Sequence, residues 1–203
     1  MKITALKQQI KNPERVSFFI DAKYEFSLSL NELVKYKLKT GEELTAADVK
    51  KYKKISADGK LRARALDWLL NRPHSEREFR DYMYRKKAEP EQIDNLVKEF
   101  TDRGYLDNAK FAVWFSELQA RRNKSNRQIA AELFKKGIDR ELVTDTLEST
   151  EADESQRLSL IIEKKSKLSR YKNDQQKLMQ YLVGQGFGWQ EVKQALADPQ
   201  IDD

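Results

Sequence analysis

Two hydrophobic periods divide this chain. Near its start, apolar positions come in short runs separated by turn residues. Ile3 to Ile10 carries β-branched and apolar residues, and Lys11-Asn12-Pro13-Glu14 then makes a turn. Val16-Ser-Phe-Phe-Ile20 follows, then Asp21-Ala22-Lys23 as a second tight turn, then Tyr24-Glu-Phe-Ser-Leu28 in strict alternation. Such runs predict strands joined by hairpins. At Ser29 the period lengthens. Ser29 can cap a short helix carrying Leu30, Leu33 and Val34, Gly41 breaks it, and Thr45 can cap a second helix with Val49 and Tyr52 inward. Ser56-Ala57-Asp58-Gly59 predicts a boundary, so residues 1–60 form a small β-meander with one or two helices.

Beyond Leu61 the period is helical, and it repeats. Phe79, Met83, Ile93 and Val97 stand at offsets 0, 4, 14 and 18; Ile129, Leu133, Val143 and Leu147 repeat these 50 residues later. Leu178, Leu182, Val192 and Leu196 repeat them again after a further 49. An offset of 4 joins neighbours on one helix face, and the gap of 10 spans a turn. Ser75, Ser125 and Asp174 each stand four residues ahead as caps, and Gly137 and Gly186 close the same helix in two copies. Lys87 stands there in the first copy, which predicts a turn made differently.

Each copy also has a preceding helix. Arg64–Asn71 carries Ala65, Leu66, Trp68 and Leu69; Asp107 caps the next, with Phe111, Ala112, Trp114, Phe115 and Leu118. The third follows the polar stretch Ser149–Ser155 and holds Leu158, Ile161, Ile162 and Leu168. The expected fold is therefore mainly α: three tandem three-helix repeats (61–106, 107–150 and 151–203), nine helices in an elongated array behind the strand-rich segment. Units of about 50 residues bury little core alone and are expected to stack.

Composition supports thin elements. Of 203 residues, 35% are charged and 39% hydrophobic, yet 9 Phe, 8 Tyr and 3 Trp argue against disorder. No apolar run is long enough to span a membrane, and MKITALKQQIKNPER lacks the apolar core of a secretory signal. There is no cysteine, which excludes disulfides and thiolate chemistry, and a cytoplasmic protein is the expectation. The one histidine, His74, reads as an ordinary exposed turn residue. Neither GxGxxG nor GxxxxGK[ST] occurs, and the carboxylates show no acid/base or metal spacing. The chain is thus expected to be no enzyme and to need no cofactor or metal. The aromatics at 68, 111, 114 and 115 read as core, with Trp189 a partial exception.

Net charge is +6 and unevenly placed. Residues 1–60 hold 13 basic and 8 acidic side chains, 61–108 hold 10 of each, 109–150 hold 8 and 6, and the rest 8 and 9. Arg121, Arg122, Lys124 and Arg127 crowd one helix junction, where contact with phosphates is favoured. Lys135 and Lys136 could bind phosphate or merely complement a helix C-terminus. Lys50, Lys51, Lys53 and Lys54 are further candidates, though such a run is more often a solvated face.

The chain resembles the RecX regulatory proteins of bacteria. Ala65-Leu-Asp-Trp-Leu-Leu-Asn-Arg-Pro-His-Ser75 resembles the opening of their first repeat, and Gly104-Tyr-Leu-Asp-Asn-Ala-Lys-Phe-Ala112 the junction with the second. Ile129-Ala-Ala-Glu-Leu-Phe-Lys-Lys-Gly-Ile138 and Gly186-Phe187 also look like family patterns. The likeness covers about residues 61–198, and the N-terminal segment is similar to that of Gram-positive members. His74, Asn108 and Lys110 depart from the commoner residues. The resemblance implies a monomer that binds the RecA recombinase filament on single-stranded DNA and restrains its assembly, ATPase and strand exchange. It implies lodging in the filament groove, with weak, nonspecific DNA contact. A protein reading duplex DNA through helix–turn–helix-like repeats is the alternative, and a metal-dependent nuclease is remote.

Overall fold

The computed structural model describes residues 1–149 and 151–197, with no side-chain detail at 151–153. It is mainly helical, with a small antiparallel sheet at the N-terminus, and it divides into two compact units, Met1–Leu70 and Asn71 onward.

In the first unit β1 (Ile3–Gln8), β2 (Arg15–Ile20) and β3 (Lys23–Ser29) pair antiparallel in the order β1-β2-β3. The β2–β3 turn has positive φ at both Asp21 (46°) and Ala22 (65°), the backbone twist that matches a tight hairpin. Ile3, Phe18, Phe26 and Leu28 are buried, and Phe18 stacks on Phe26 at 4.8 Å between centroids. Ser29 caps α1 (Leu30–Tyr36) in a reciprocal capping box with Glu32. Thr45 caps α2 (Ala46–Leu70), accepting from the Asp48 N–H.

The expected break at Ser56-Ala57-Asp58-Gly59 does not form, because α2 runs unbroken through it. These small residues serve packing instead. Ser56 is buried and its hydroxyl accepts from the Ser27 N–H of β3 at 3.3 Å, and a Cβ at Gly59 would lie 2.8 Å from Glu32 Oε1. The helix expected over Arg64–Asn71 is therefore the end of α2, with Ala65 and Leu69 buried.

The second unit runs α3 (Glu76–Arg85), α4 (Pro90–Asp102), α5 (Asn108–Ala120), α6 (Asn126–Lys135), α7 (Arg140–Glu148), α8 (Glu151–Ser166), α9 (Gln175–Gly184) and α10 (Trp189–Ala197). Ser75, Ser125 and Asp174 each accept the backbone N–H three residues on, opening α3, α6 and α9 alike. Phe79, Met83 and Ile93 are buried, as are their counterparts Ile129, Leu133, Val143, Leu178, Leu182 and Val192. Helices α5, α6 and α7 pack around one core, and α8, α9 and α10 around another. Leu168 lies beyond α8 and is exposed.

Two further expectations are corrected. Lys87 does not make its turn differently: its φ is 59°, in the same left-handed region as Gly137 (80°) and Gly186 (93°). The Ala88, Ile138 and Phe187 N–H groups accordingly reach back to Met83, Leu133 and Leu182 carbonyls. A lysine there costs about 1–2 kcal/mol in sterics, partly offset because glycine loses ~0.5–1 kcal/mol more entropy. Lys87→Gly is expected to raise stability by about 0.5–1 kcal/mol, read as a higher urea midpoint at unchanged slope. A lower midpoint would assign the Lys87 side chain a contact of its own. His74 is likewise not exposed: it is 3% accessible, with Nδ1 3.2 Å from Glu78 Oε2.

Successive repeats meet through equivalent joints. The Glu76 N–H at the start of α3 donates to Asn108 Oδ1 of α5 at 2.9 Å; the Asn126 N–H at the start of α6 donates to Glu154 Oε1 of α8 at 2.7 Å. In each case the next repeat supplies the acceptor for an orphan helix-end donor. Gly137 lies over Arg77, and Gly186 over Ser125 and Gln128. At these two positions glycine is required twice over, by φ and by close approach. Lys87, the counterpart in the first copy, is exposed and meets the φ requirement as a non-glycine residue.

Candidate functional site

The junction from α5 to α6 gathers half of the middle repeat's cations. Arg121 is the α5 C-cap and Asn123 turns the chain with φ 62°; Arg127 lies in the first turn of α6. Arg121, Arg122 and Arg127 are exposed and Lys124 half-buried. Arg121 Nη2 stands 3.5 Å from Glu117, a loose surface pair with a side chain 78% accessible. No acid among the described residues pairs with Arg122, Lys124 or Arg127. The four thus form one open cationic ridge.

Lys135 and Lys136 part company. Lys135 is exposed on a cleft of about 460 Å³ between α3 and α6, lined also by Arg77, Glu78, Asp81, Glu132 and Lys136, three cations facing three acids. Lys136 turns inward, and its Nζ lies 2.7 Å from Glu78 Oε1 across the first joint. Glu78 also accepts from Arg72 Nη1 at 2.9 Å and meets His74 Nδ1, which must carry the hydrogen because a carboxylate only accepts. Burial alone would push the Glu78 carboxyl up. The hydrogen bonds from His74, Arg72 and Lys136 outweigh that and hold it well below the ordinary carboxylate range. At the second joint Gln128 replaces Glu78 and Gln185 replaces Lys136, and Gln128 Nε2 donates to the Gly184 carbonyl at 2.9 Å. The Glu78–Lys136 contact is thus ionic and its Gln128–Gly184 counterpart neutral.

The α2 lysines lie in the other unit. Lys50 and Lys54 are exposed, Lys51 lies 5.8 Å from both the Tyr36 and Tyr52 ring centres, and Lys53 pairs with Glu25. Two of the four are thus occupied in holding the first unit together. Asn108 and Lys110, the departures noted above, have local work: one caps α3 across the joint and the other meets Asp107 at 3.3 Å.

The expected core aromatics Phe111 and Phe115 are buried and Trp68 and Trp114 half-buried, while Trp189 is exposed beneath Lys193. Sequence reasoning missed Glu78, whose partner lies 58 residues away. It also missed Phe134, exposed on α6; its place off the core period was the available signal. Among the described residues no cluster of three or more His, Asp or Glu could hold a metal ion, and no helix is long and apolar enough to cross a membrane.

The pattern for the regulatory protein RecX N-terminal domain matches residues 1–45. Regulatory protein RecX of Listeria innocua is 33% identical over 200 residues, spanning 96% of this chain and 74% of that protein. The Bacillus velezensis protein of the same name is 30% identical over 206 residues, spanning 98% and 78%. A crystal structure of regulatory protein RecX superposes with a TM-score of 0.70 at 21% identity, over 97% of this chain and 99% of that one. RecX from Lactobacillus salivarius gives 0.60 at 20%, over 68% and 94%. With its N-terminal domain, its repeated helices and relatives alike over nearly its whole length, the chain belongs to the RecX family of regulatory proteins.

Proposed function

We propose that this protein is a non-enzymatic regulator that binds the RecA recombinase filament on single-stranded DNA and lowers its assembly, ATP hydrolysis and strand exchange, as a cytoplasmic monomer. Family membership supports the class of activity. The single structural observation that carries the reading is the open cationic ridge Arg121, Arg122, Lys124 and Arg127 beside a repeated joint. A row of stacked helical repeats offers long contact to a partner that is itself repetitive. The cations supply contact with phosphate that weakens as salt rises. Lys135 extends this surface, whereas Lys136 serves it indirectly by fixing the first joint.

The test is RecA's single-strand-dependent ATP hydrolysis with this protein added at stoichiometric amounts. Hydrolysis is expected to fall, and unchanged hydrolysis would overturn the reading. In Arg121→Glu with Arg122→Glu, half-inhibition is expected to need about tenfold more protein at low salt, with a flatter dependence on salt. An unchanged salt titration would return the ridge to solvated surface.

A further inference from the structure

Comparison of the three equivalent helices singles out one face of α6. At positions i, i+4 and i+7, which share a helix face, α3 carries Arg77, Asp81 and Tyr84, α9 carries Gln176, Gln180 and Val183, and α6 carries Arg127, Ala131 and Phe134. Only α6 joins a cation to an aromatic ring with no acid between. Arg127, Ala131 and Phe134 are all exposed, and the Phe134 ring is 46% accessible. The sole acid of α6, Glu132, lies five residues beyond Arg127 and two before Phe134, on another flank. Two helical turns, about 10 Å, separate Arg127 from Phe134, and Ala131 between them leaves the surface flat. At one end of this strip stand Arg121, Arg122 and Lys124, and at the other Lys135.

An exposed benzene ring on a helix face is costly to leave in water, and among the described residues no ring or cation contacts Phe134. A row of cations leading to such a ring is the arrangement that tracks a phosphodiester backbone while offering a plane for a base. Duplex bases are already stacked on one another and cannot lie on it, so the ring selects for unpaired nucleotides. We infer that the outer face of α6 is a single-stranded nucleic-acid contact, with Arg127 and the Arg121–Lys124 turn on phosphates and Phe134 stacked on a base. On α3 the same strip contains Asp81, which repels phosphate, so Tyr84 adds less despite being 54% exposed. This inference deepens the proposed regulation by assigning the ridge to the nucleic acid rather than to the recombinase.

The full-length chain and a fluorescent oligothymidylate, without recombinase, separate this from the reading above. Phe134→Leu keeps an apolar side chain but removes the ring, and is expected to weaken single-strand binding about tenfold. Phe134→Trp is expected to restore binding and to show quenched indole fluorescence on adding the oligonucleotide. Tyr84→Leu should change binding less than threefold, and duplex binding should be equal in all variants. Equal single-strand affinity of Phe134→Leu and the unmodified protein would overturn the assignment. So would a Phe134→Leu defect confined to recombinase binding without DNA, which would make the ring a protein contact. Neither result depends on whether ATP hydrolysis is inhibited.

Discussion

Gly186→Ala is expected to destabilise the second unit by about 3 kcal/mol. Alanine at φ +93° is strained by about 1–2 kcal/mol. Its Cβ would also stand 2.3 Å from Ser125 Oγ and 2.6 Å from Gln128 Cγ. Relief requires Ser125 to swing away, yet that hydroxyl caps α6 by accepting from the Gln128 N–H, a bond worth about 1 kcal/mol. Overpacking adds about 1–3 kcal/mol more, and only some of these costs are avoided by relaxation. The midpoint of thermal unfolding should fall by about 6–12 °C. Gly137→Ala should cost less, about 2 kcal/mol, because its nearest neighbour, Arg77 Cβ, would be 3.0 Å away. The order Gly186 above Gly137, with Lys87 already tolerated, tests the joint directly. Equal stability of Gly186→Ala and the unmodified protein would mean that α9 does not close on α6 in this way.

Glu78→Gln is expected to cost about 2 kcal/mol and to blunt the response to acid. The carboxylate accepts from Arg72, His74 and Lys136, and an amide oxygen can satisfy only part of that set. Arg72 and Lys136 are each more than a third accessible and can turn to water, so the loss stays below that of a fully buried pair. His74 cannot escape so easily, being buried. The sign with pH follows from the depressed carboxyl. Above its ordinary value of 4.5 the unfolded carboxyl is also ionised, so the full stabilisation is present. As pH falls below about 4.5, protons bind the unfolded form first and the stabilisation is lost progressively. Chemical denaturation of both proteins from pH 7 to 3 should therefore give curves that converge below pH 4.5. Parallel curves would show that Glu78 is not the acid-sensitive link of the first joint.

Much of the fold was legible because its signals are local. The caps at Ser75, Ser125 and Asp174 follow from residues three positions apart, and the core stripes from spacings of 4. The misread positions were those whose role depends on distant chain. Ser56 and Gly59 look like a linker in composition, but they are small because α2 passes close to β3 and α1. His74 looks like a surface turn residue, but Glu78 and the fold around it bury it. Lys87 breaks the glycine pattern, yet one strained residue is tolerable where its side chain is exposed.

The candidate surface divides the same way. The cations of residues 121–127 are adjacent in sequence, so their clustering needed no structure. Lys135 and Lys136 are also adjacent, but successive residues of a helix end differ by about 100° in direction. One therefore faces solvent and the other pairs with Glu78.

By itself the sequence marked the caps that open α3, α6 and α9, the apolar spacing that recurs after about 50 residues, and the gathering of positive charge in the first segment and in residues 109–150. These depend on backbone hydrogen bonding and hydrophobic period within a few turns of chain. Tertiary structure alone decided that the Glu78–Lys136 contact is ionic and its Gln128–Gly184 counterpart neutral, that two of the α2 lysines are engaged, and that Phe134 stays exposed on the face of α6 that carries Arg127. Those outcomes depend on which segments meet in space, over as many as 58 residues between Glu78 and Lys136, and no local spacing encodes that meeting.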